Sequence, residues 1–351
     1  METQEIRSWL VETDPVKLEE LWNKADTIRR QHTGDHVYLR AILEISNKCG
    51  RDCHYCGLRA ANSRLHRYTM TEDEILDGAR LAHELGIGTI VLQAGEHPGL
   101  TAPWVAGIVR RIKQETGAVV TLSLGERTQE ELALWKDAGA DRYLLKFETS
   151  NLQLFQKIHP GPSTDSHPRV KILKQLHALG YEVGSGFMIG IPGQTYDDAV
   201  NDLKLLKTLD IHMIGNGPFI ANPDFPFGEK IKGQVPNDEL TTYKAMALTR
   251  ILCPGSNIPS TTALGTVNLQ SGLELGLRRG GNVLMPNLTP AKYKKHYSIY
   301  PTPLRDIDDA RQLVATIKER ILRIDRSIGA GAGMSHSFLK QRHHHCEVSN
   351  D

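Results

Sequence analysis

Three cysteines lie within eight positions of one another in the segment CGRDCHYCGL. Cys49, Cys53 and Cys56 have the spacing C-x3-C-x2-C, whereas the other cysteines of the chain, Cys253 and Cys346, stand alone. A structural zinc site takes four closed ligands, and no partner pair of cysteines or well-spaced histidine follows the triplet. An iron–sulfur cube held by three thiolates instead leaves one iron without a protein ligand, where a substrate or cofactor can bind.

The segments around the triplet alternate between short β-rich apolar runs and amphipathic helical stretches from about residue 37 to 285. This alternation predicts an α/β fold, a TIM-type (β/α)8 barrel whose functional residues lie at the C-terminal ends of its strands. The predicted strands cover residues 37–46, 89–95, 119–125, 142–148, 182–190, 212–220, 257–264 and 282–287. Helices are expected over about 72–85, 103–115, 128–138, 166–179, 195–208 and 236–251.

Helices at the two ends are expected to flank this barrel, over residues 15–32 and 307–324. The predicted domains are an N-terminal helical extension (1–36), the barrel (37–325) and a flexible tail (326–351). The HHHC run of the tail, His343 to Cys346, could bind a metal, but an incidental surface tract is the favoured interpretation.

The composition mainly argues against certain partners and locations. The chain has 351 residues, 40% hydrophobic and 24% charged, with a formal net charge of +1, so no global charge attracts nucleic acid or an acidic membrane. No apolar stretch approaches the roughly 20 residues that span a bilayer, and the N-terminus is too acidic for a signal peptide. Clustered rather than paired cysteines suit a reducing compartment, and a cytoplasmic location is expected.

The cysteine triplet after the first strand, with the aromatic Tyr55 before its last member, resembles that of the radical S-adenosylmethionine (SAM) superfamily. The resemblance implies one 4Fe-4S cluster on Cys49, Cys53 and Cys56, which are therefore the predicted catalytic and metal-binding residues. It also implies that the open iron binds the amino and carboxylate groups of SAM. An electron from the cluster would then cleave SAM to methionine and a 5′-deoxyadenosyl radical.

Further segments at strand ends resemble SAM-binding motifs of this superfamily. Gly95 and Glu96 match the end of a Gly-Gly-Glu motif, in which Ala94 replaces the first glycine. Glu148 is expected to accept hydrogen bonds from SAM, and Arg169 to bind the SAM carboxylate. Without the resemblance, Glu148 would be interpreted as a surface carboxylate that caps the next helix, and Arg169 as a solvated helix residue. The loop GIPGQT is similar to an adenine-binding loop, which completes the predicted cofactor contacts: Tyr55, Gly95, Glu96, Glu148, Arg169, Met188 and Ile191.

Polar residues on the predicted strands indicate a wet pocket, because barrel interiors are mostly filled by branched apolar side chains. Arg40 and the hydroxyls of Ser123, Thr261 and Thr262 suit a carboxylate-bearing substrate near the barrel mouth. Tyr297 joins them only by resemblance, because its segment HYSIYP is similar to one in the radical SAM maturases of FeFe-hydrogenases. Each could instead be a satisfied core group, and Tyr297 could be an aromatic that packs against the last strand.

Longer segments narrow the resemblance to the radical SAM maturases of FeFe-hydrogenases. They include GDHVYLRAILEISNKCGRDCHYCGLR, AGADRYLLKFETSN, IGNGPFIANPDFP and NVLMPNLTPAKYKKHYSIYP. This resemblance implies assembly of the hydrogenase H-cluster, by sulfur-centred radical chemistry on a cysteine-ligated iron carbonyl cyanide precursor. Other maturases and an electron donor are the implied partners. The alternatives are a methylornithine synthase-like mutase with an amino-acid-like substrate and an iron–sulfur carrier or scaffold. The scarcity of cysteines weighs against biotin synthase and a second cluster.

Overall fold

A computed structural model describes residues 1–162, 164–222, 231–305 and 309–348 of the chain. Its helices are α1 Thr3–Val11, α2 Pro15–Thr33, α3 Glu72–Glu84, α4 Ala102–Thr116, α5 Gln129–Asp137, α6 Leu152–Ile158, α7 Pro168–Ala178, α8 Tyr196–Thr208, α9 Glu239–Leu252, α10 Thr262–Val267, α11 Gly272–Arg278, α12 Ala291–Lys294, α13 Ala310–Leu322 and α14 His336–Val348, with a 3-10 turn at Pro303–Arg305. Its strands are β1 His36–Leu39, β2 Ala41–Ser46, β3 Thr89–Ala94, β4 Val119–Ser123, β5 Arg142–Leu144, β6 Glu182–Ser185, β7 Met188–Ile189, β8 Met213–Ile214, β9 Gly217–Pro218, β10 Val283–Leu284 and β11 Ser327–Ile328.

The strands close into a parallel barrel. β2, β3, β4, β5, β6 and β8 pair in that order, and β10 pairs with β1. Between β8 and β10 the ring is completed by two parallel bridges, Met213 to Asn257 and Pro259 to Val283. These pairings confirm the predicted (β/α)8-type architecture. The predicted strand 257–264 is too long, because the Thr261 hydroxyl accepts a hydrogen bond from Leu264 N and starts α10.

Capping chemistry fixes where several covering helices begin. Thr71 and Glu74 form a reciprocal capping box at α3, and Thr128 and Thr195 start α5 and α8 in the same way. Each box satisfies backbone N–H groups that the first helical turn leaves without partners. The helices predicted over 72–85, 128–138 and 195–208 are therefore found with nearly the same limits.

The two faces of β2 show which side chains enter the barrel. Leu43 packs outward against α3, since a Cβ atom added at Gly78 would lie 2.7 Å from Leu43 Cδ2. Successive side chains of a strand alternate between faces, so Ile42 and Glu44 point inward. Glu44 pairs in register with Gln93 of β3, and Gln93 pairs with Ser123 of β4. These three residues form an inward polar row near the C-terminal mouth.

A C-terminal segment closes the opposite, N-terminal end of the barrel. Arg142 Nε lies 2.5 Å from Glu182 Oε2, and neither side chain is exposed. Arg142 Nη2 donates to the Ala332 carbonyl at 2.9 Å, and Ser335 N donates to Glu182 Oε1 at 2.8 Å. Burial opposes ionisation of Glu182, but the charges of Arg142 and Arg40 outweigh it and lower its pKa.

The segment from residue 326, predicted as a flexible tail, contains regular structure and contacts the barrel over much of its described length. β11 pairs with β1, the loop at 332–335 plugs the barrel, and α14 follows. The physical reason is that the buried Arg142 and Glu182 need polar partners, which the backbone of this loop supplies. The side chains of His343 to Cys346 lie outside the described part of the chain. No helix in the described ranges is long and apolar enough to cross a membrane.

Replacement of Glu182 by glutamine tests the ion pair at the closed end. The Arg142 guanidinium would stay buried without its counter-charge, so we expect the free energy of unfolding to fall by about 3 kcal/mol. Urea denaturation at neutral pH measures the loss, since a carboxylate with a lowered pKa stabilises the fold above its unfolded pKa and less as the pH falls. The exposed Arg311–Glu84 pair supplies the control, and Arg311→Gln should change stability little. Equal losses in the two variants would contradict this account.

Candidate active site

The cysteine loop follows β2 at the C-terminal mouth of the barrel. Cys53 is buried, Cys49 and Cys56 are partly buried, and all three are free thiols. Burial raises the pKa of Cys53 and Cys56, that of Cys56 to about 12, so metal binding must displace their protons. Among the described residues, no group of three His, Cys, Asp or Glu side chains could hold a single metal ion. A cluster instead takes each thiolate on a different iron, and this donor set suits it.

Backbone hydrogen bonds anchor the loop to neighbouring strand ends. Gly50 N donates to the Glu96 carbonyl at 2.8 Å, and His54 N donates to the Ile158 carbonyl at 2.9 Å. Gly57 N donates to the carbonyl of residue 299 at 2.7 Å. The loop is therefore fixed by backbone hydrogen bonds to the segment after β3, to the last residue of α6 and to the segment after α12.

A chain of ion pairs continues from this loop across the mouth. Arg51 pairs with Glu96, and its Nη2 lies 3.0 Å from Glu126 Oε2. Arg169 Nε lies 3.0 Å from the other Glu126 oxygen, and Arg169 Nη1 is 3.8 Å from Glu148 Oε1. Burial opposes ionisation of Glu126, but the two arginines outweigh it and lower its pKa. The network joins the cysteine loop to α7 and the ends of β3, β4 and β5.

His159 completes the shell around Arg169. Burial, with the charge of Arg169, lowers the pKa of His159 to about 3, so the imidazole is neutral. Arg169 Nη2 accordingly donates to His159 Nε2 at 2.6 Å, and Nη1 donates to the Lys146 carbonyl at 2.7 Å. Sequence reasoning missed His159 and Glu126; the position of Glu126 directly after a predicted strand was the available signal.

Glu148 has an unusual backbone at the mouth. Its φ is 66°, in the left-handed region that costs a non-glycine residue roughly 1 kcal/mol or more. Tyr55 Oη lies 3.5 Å from Glu148 Oε1. Glu148 Oε2 is buried 3.0 Å from Lys146 Nζ but accepts no hydrogen bond within the described part of the chain. A buried acceptor with spare capacity fits a ligand that brings hydroxyl or ammonium donors.

A small apolar cluster lies beside Glu148 and is separate from the main core. It includes both predicted adenine contacts, and Tyr55 packs against it; its buried members are Leu154, Ile158, Met188, Ile191 and Phe219. Such a surface next to polar groups suits a nucleoside, which is flat and apolar on its faces and polar at its edges. The structure thus brings Tyr55, Glu148, Met188 and Ile191 together.

Gly95 is required by the cysteine loop itself. A Cβ atom there would press into the Lys48 carbonyl oxygen and lie 2.8 Å from Cys49 Cβ. Glu96 likewise supports the loop, because its second oxygen accepts a hydrogen bond from Glu126 N at 2.9 Å while Arg51 holds the first. Direct contact of Gly95 or Glu96 with SAM stays a prediction.

Most of the predicted substrate residues lie at the mouth. Ser123 is partly exposed at the end of β4. Thr261 and Thr262 lie at the start of α10, and the first is partly exposed and the second exposed. Tyr297 is 2% exposed, and its hydroxyl accepts a hydrogen bond from Gln93 Nε2 at 3.2 Å. Sequence reasoning missed Gln93, although a polar residue in the apolar run TIVLQAG was the same signal that singled out Ser123.

Arg40 is the exception, and its predicted place at the mouth is wrong. It lies six positions before the end of β2, about 20 Å away along an extended strand, at the closed end of the barrel. Its Nη1 donates to Met213 Sδ at 2.8 Å and its Nη2 to the Gly333 carbonyl at 3.3 Å. Burial, with the nearby charge of Arg142, lowers its pKa to about 9. The strand register therefore removes Arg40 from the residues around the cysteines.

Comparisons with known proteins agree with this geometry. Residues 43–206 match the model of the Radical SAM superfamily, whose members bind a 4Fe-4S cluster and SAM. The chain is 47% identical over 315 residues to the [FeFe] hydrogenase maturase subunit HydE of Thermotoga maritima, covering 90% of this chain and 88% of the relative. It is 31% identical over 273 residues to biotin synthase of Bacillus subtilis subsp. natto, covering 76% and 78%.

Among solved structures, methylornithine synthase (PylB) superposes with a TM-score of 0.81 at 21% identity, covering 93% of this chain and 94% of that one, which shows a shared fold. Sequence identity, and not the shared fold, shows to which family within the superfamily the chain belongs. The chain belongs to the radical SAM superfamily and, within it, to the family of the FeFe-hydrogenase maturase HydE.

Substitution of Gly95 by alanine tests the packing under the cysteine loop. The added methyl group meets backbone atoms that cannot move aside cheaply, so we expect less iron bound per chain after anaerobic reconstitution. Iron and sulfide analysis measures this. The control is Gly107→Ala in α4, where a Cβ atom would meet nothing within 4 Å. Full iron loading of the Gly95 variant would show that the loop tolerates displacement.

Proposed function

We propose that this chain is a SAM-cleaving maturase that acts on a small-molecule precursor of the FeFe-hydrogenase H-cluster. Similarity to HydE along nearly its whole length is the observation that carries the proposal. The proposal includes the organometallic substrate, a cysteine-ligated iron carbonyl cyanide. It also includes other maturases and an electron donor as partners. A cytoplasmic location stays a prediction from the cysteine pattern.

Cys49, Cys53 and Cys56 are the proposed cluster ligands. When bound, the reduced cluster supplies the electron that cleaves SAM to methionine and a 5′-deoxyadenosyl radical. The chain contributes three thiolates on a preformed loop, and Arg51 binds that loop to carboxylates of two strand ends. Through Arg51, Glu96 and Glu126 therefore fix the position of the cysteine loop relative to the other residues of the mouth.

Arg169 and Glu148 are the proposed polar contacts of SAM. Arg169 uses three of its five N–H groups on Glu126, Lys146 and His159, which leaves two for the SAM carboxylate. Glu148 Oε2 has capacity to accept from a ribose hydroxyl or the SAM ammonium group. Met188 and Ile191 of the apolar cluster, together with Tyr55 packed against it, would cover the adenine and exclude water from the reacting bond.

The proposed substrate chamber lies inside the barrel, below this mouth. Ser123 of β4 and Gln93 of β3 are paired in register, so they lie at the same height in the barrel. The Tyr297 hydroxyl accepts a hydrogen bond from Gln93, and Thr261 lies at the start of α10. Hydroxyl and amide groups at this level of the barrel suit a substrate with a carboxylate or other polar ligands.

Replacement of Cys53 by alanine tests the cleavage reaction. With one ligand missing, we expect the reconstituted protein to lose most of its iron and to form no 5′-deoxyadenosine from SAM under a strong reductant. Liquid chromatography of the reaction mixture measures the product. Cys253→Ala is the matched control, because Cys253 is a buried thiol at the end of α9, outside the loop. A wild-type protein with full cluster that leaves SAM intact would overturn the cleavage proposal.

Hydrogenase maturation in vitro tests the biological role separately. Omission of this protein from a reconstituted maturation mixture should abolish hydrogen evolution by the target hydrogenase, and its addition should restore the activity. Full activity without it would contradict the maturase role. Mass spectrometry for a rearranged lysine product would then examine the methylornithine synthase-like alternative.

A further inference from the structure

Asp202 is a buried carboxylate on α8 that contacts the loop after β5. Neither its side chain nor its backbone is exposed. Its Oδ1 accepts hydrogen bonds from Ser150 N, from Ser150 Oγ at 2.6 Å and from Thr149 Oγ1 at 3.3 Å. Thr149 and Ser150 directly follow Glu148, so this carboxylate holds the chain at the proposed SAM contact.

The second oxygen of Asp202 reaches the loop after β7. Asp202 Oδ2 accepts from Gln194 Nε2 at 3.1 Å, and the same amide donates to the Met188 carbonyl at 3.0 Å. Gln194 Oε1 accepts from Gly190 N at 2.7 Å. Through Gln194, one carboxylate thus fixes the loop that carries Met188 and Ile191.

The segment from Gly186 to Met188 also holds the strained backbone of Glu148. Glu148 N donates to the Gly186 carbonyl at 3.1 Å, and Met188 N donates to the Glu148 carbonyl at 2.9 Å. A left-handed non-glycine residue persists only when its surroundings leave no alternative. Asp202 adds a further restraint directly after Glu148, through the Ser150 N–H and the hydroxyls of Thr149 and Ser150.

We propose that Asp202 is a positioning residue that holds Glu148 and the Met188–Ile191 segment in the geometry that binds SAM. The inference rests on the SAM site proposed above. Burial is the main reason that the pKa of Asp202 is raised to about 7, with Asp198 adding to it. A charged carboxylate is therefore costly at this buried position, and an apolar side chain would fill the same space without that cost. The carboxylate is explained by the donors it satisfies, which belong to both loops at once.

The variant Asp202→Asn removes one acceptor without changing the size of the side chain. In either orientation of the new amide, its NH2 group faces a donor, Ser150 N or Gln194 Nε2. We expect SAM to bind the reconstituted holoenzyme about tenfold more weakly, the effect of one unsatisfied buried donor. Calorimetry measures the affinity. Iron content should match that of the wild type, and amide exchange over 147–151 and 188–194 should be faster in the SAM-free protein.

A further variant separates positioning from general stability. Glu182→Gln is the matched control, a buried carboxylate at the closed end, which should lower stability without weakening SAM binding.

Unchanged SAM affinity in Asp202→Asn would overturn the inference, as would loss of the cluster in that variant. Equal weakening in Glu182→Gln would overturn it as well. A wild-type holoenzyme that binds no SAM would instead refute the proposed function, and the inference would fall with it.

Discussion

The sharing of Glu126 between two arginines is the interaction on which the mouth of the barrel depends. Arg51 belongs to the cysteine loop and Arg169 to α7, and Glu126 contacts both. Without its charge, two guanidinium groups would face each other in a partly buried site. A buried ion pair contributes little net stability because desolvation offsets its attraction, but its geometry is specific. Here that specificity sets the distance between the proposed cluster site and the proposed SAM contacts.

The barrel itself could be predicted from sequence because its signals are local. Alternating apolar runs marked the strands, and the threonine capping boxes marked helix starts that the structure reproduces at α3, α5 and α8. The cysteine triplet was equally local. The limits predicted for the seventh strand were wrong because it consists of bridges at Asn257 and Pro259, and strand propensity could not tell where Thr261 would start a helix.

The site was less predictable, because a side chain's role depends on its level in the barrel and on partners far away in sequence. Arg40 and Ser123 looked alike as polar residues in apolar strands, but the register places one at the closed end and the other at the mouth. The glycines before the plugging loop at 332–335 indicated flexibility, although the buried Arg142 and Glu182 require this loop. Asp202 gave no signal, since on a helix it resembles any solvated aspartate.

The two ends of the barrel use the same chemistry for different purposes. At the closed end, both oxygens of Glu182 are engaged within the fold, one by Arg142 and one by Ser335 N. At the mouth, Glu148 keeps an oxygen without a hydrogen bond in the described structure, and its backbone is strained. Full satisfaction of buried polar groups stabilises a fold, whereas incomplete satisfaction costs free energy that a bound ligand can return. Arg40 Nε at the closed end also has no hydrogen bond in the described structure, so polar satisfaction alone does not separate the two ends. The strained backbone of Glu148, whose carboxylate lies 3.5 Å from Tyr55 Oη of the cysteine loop, favours the mouth as the place where the barrel meets its cofactor.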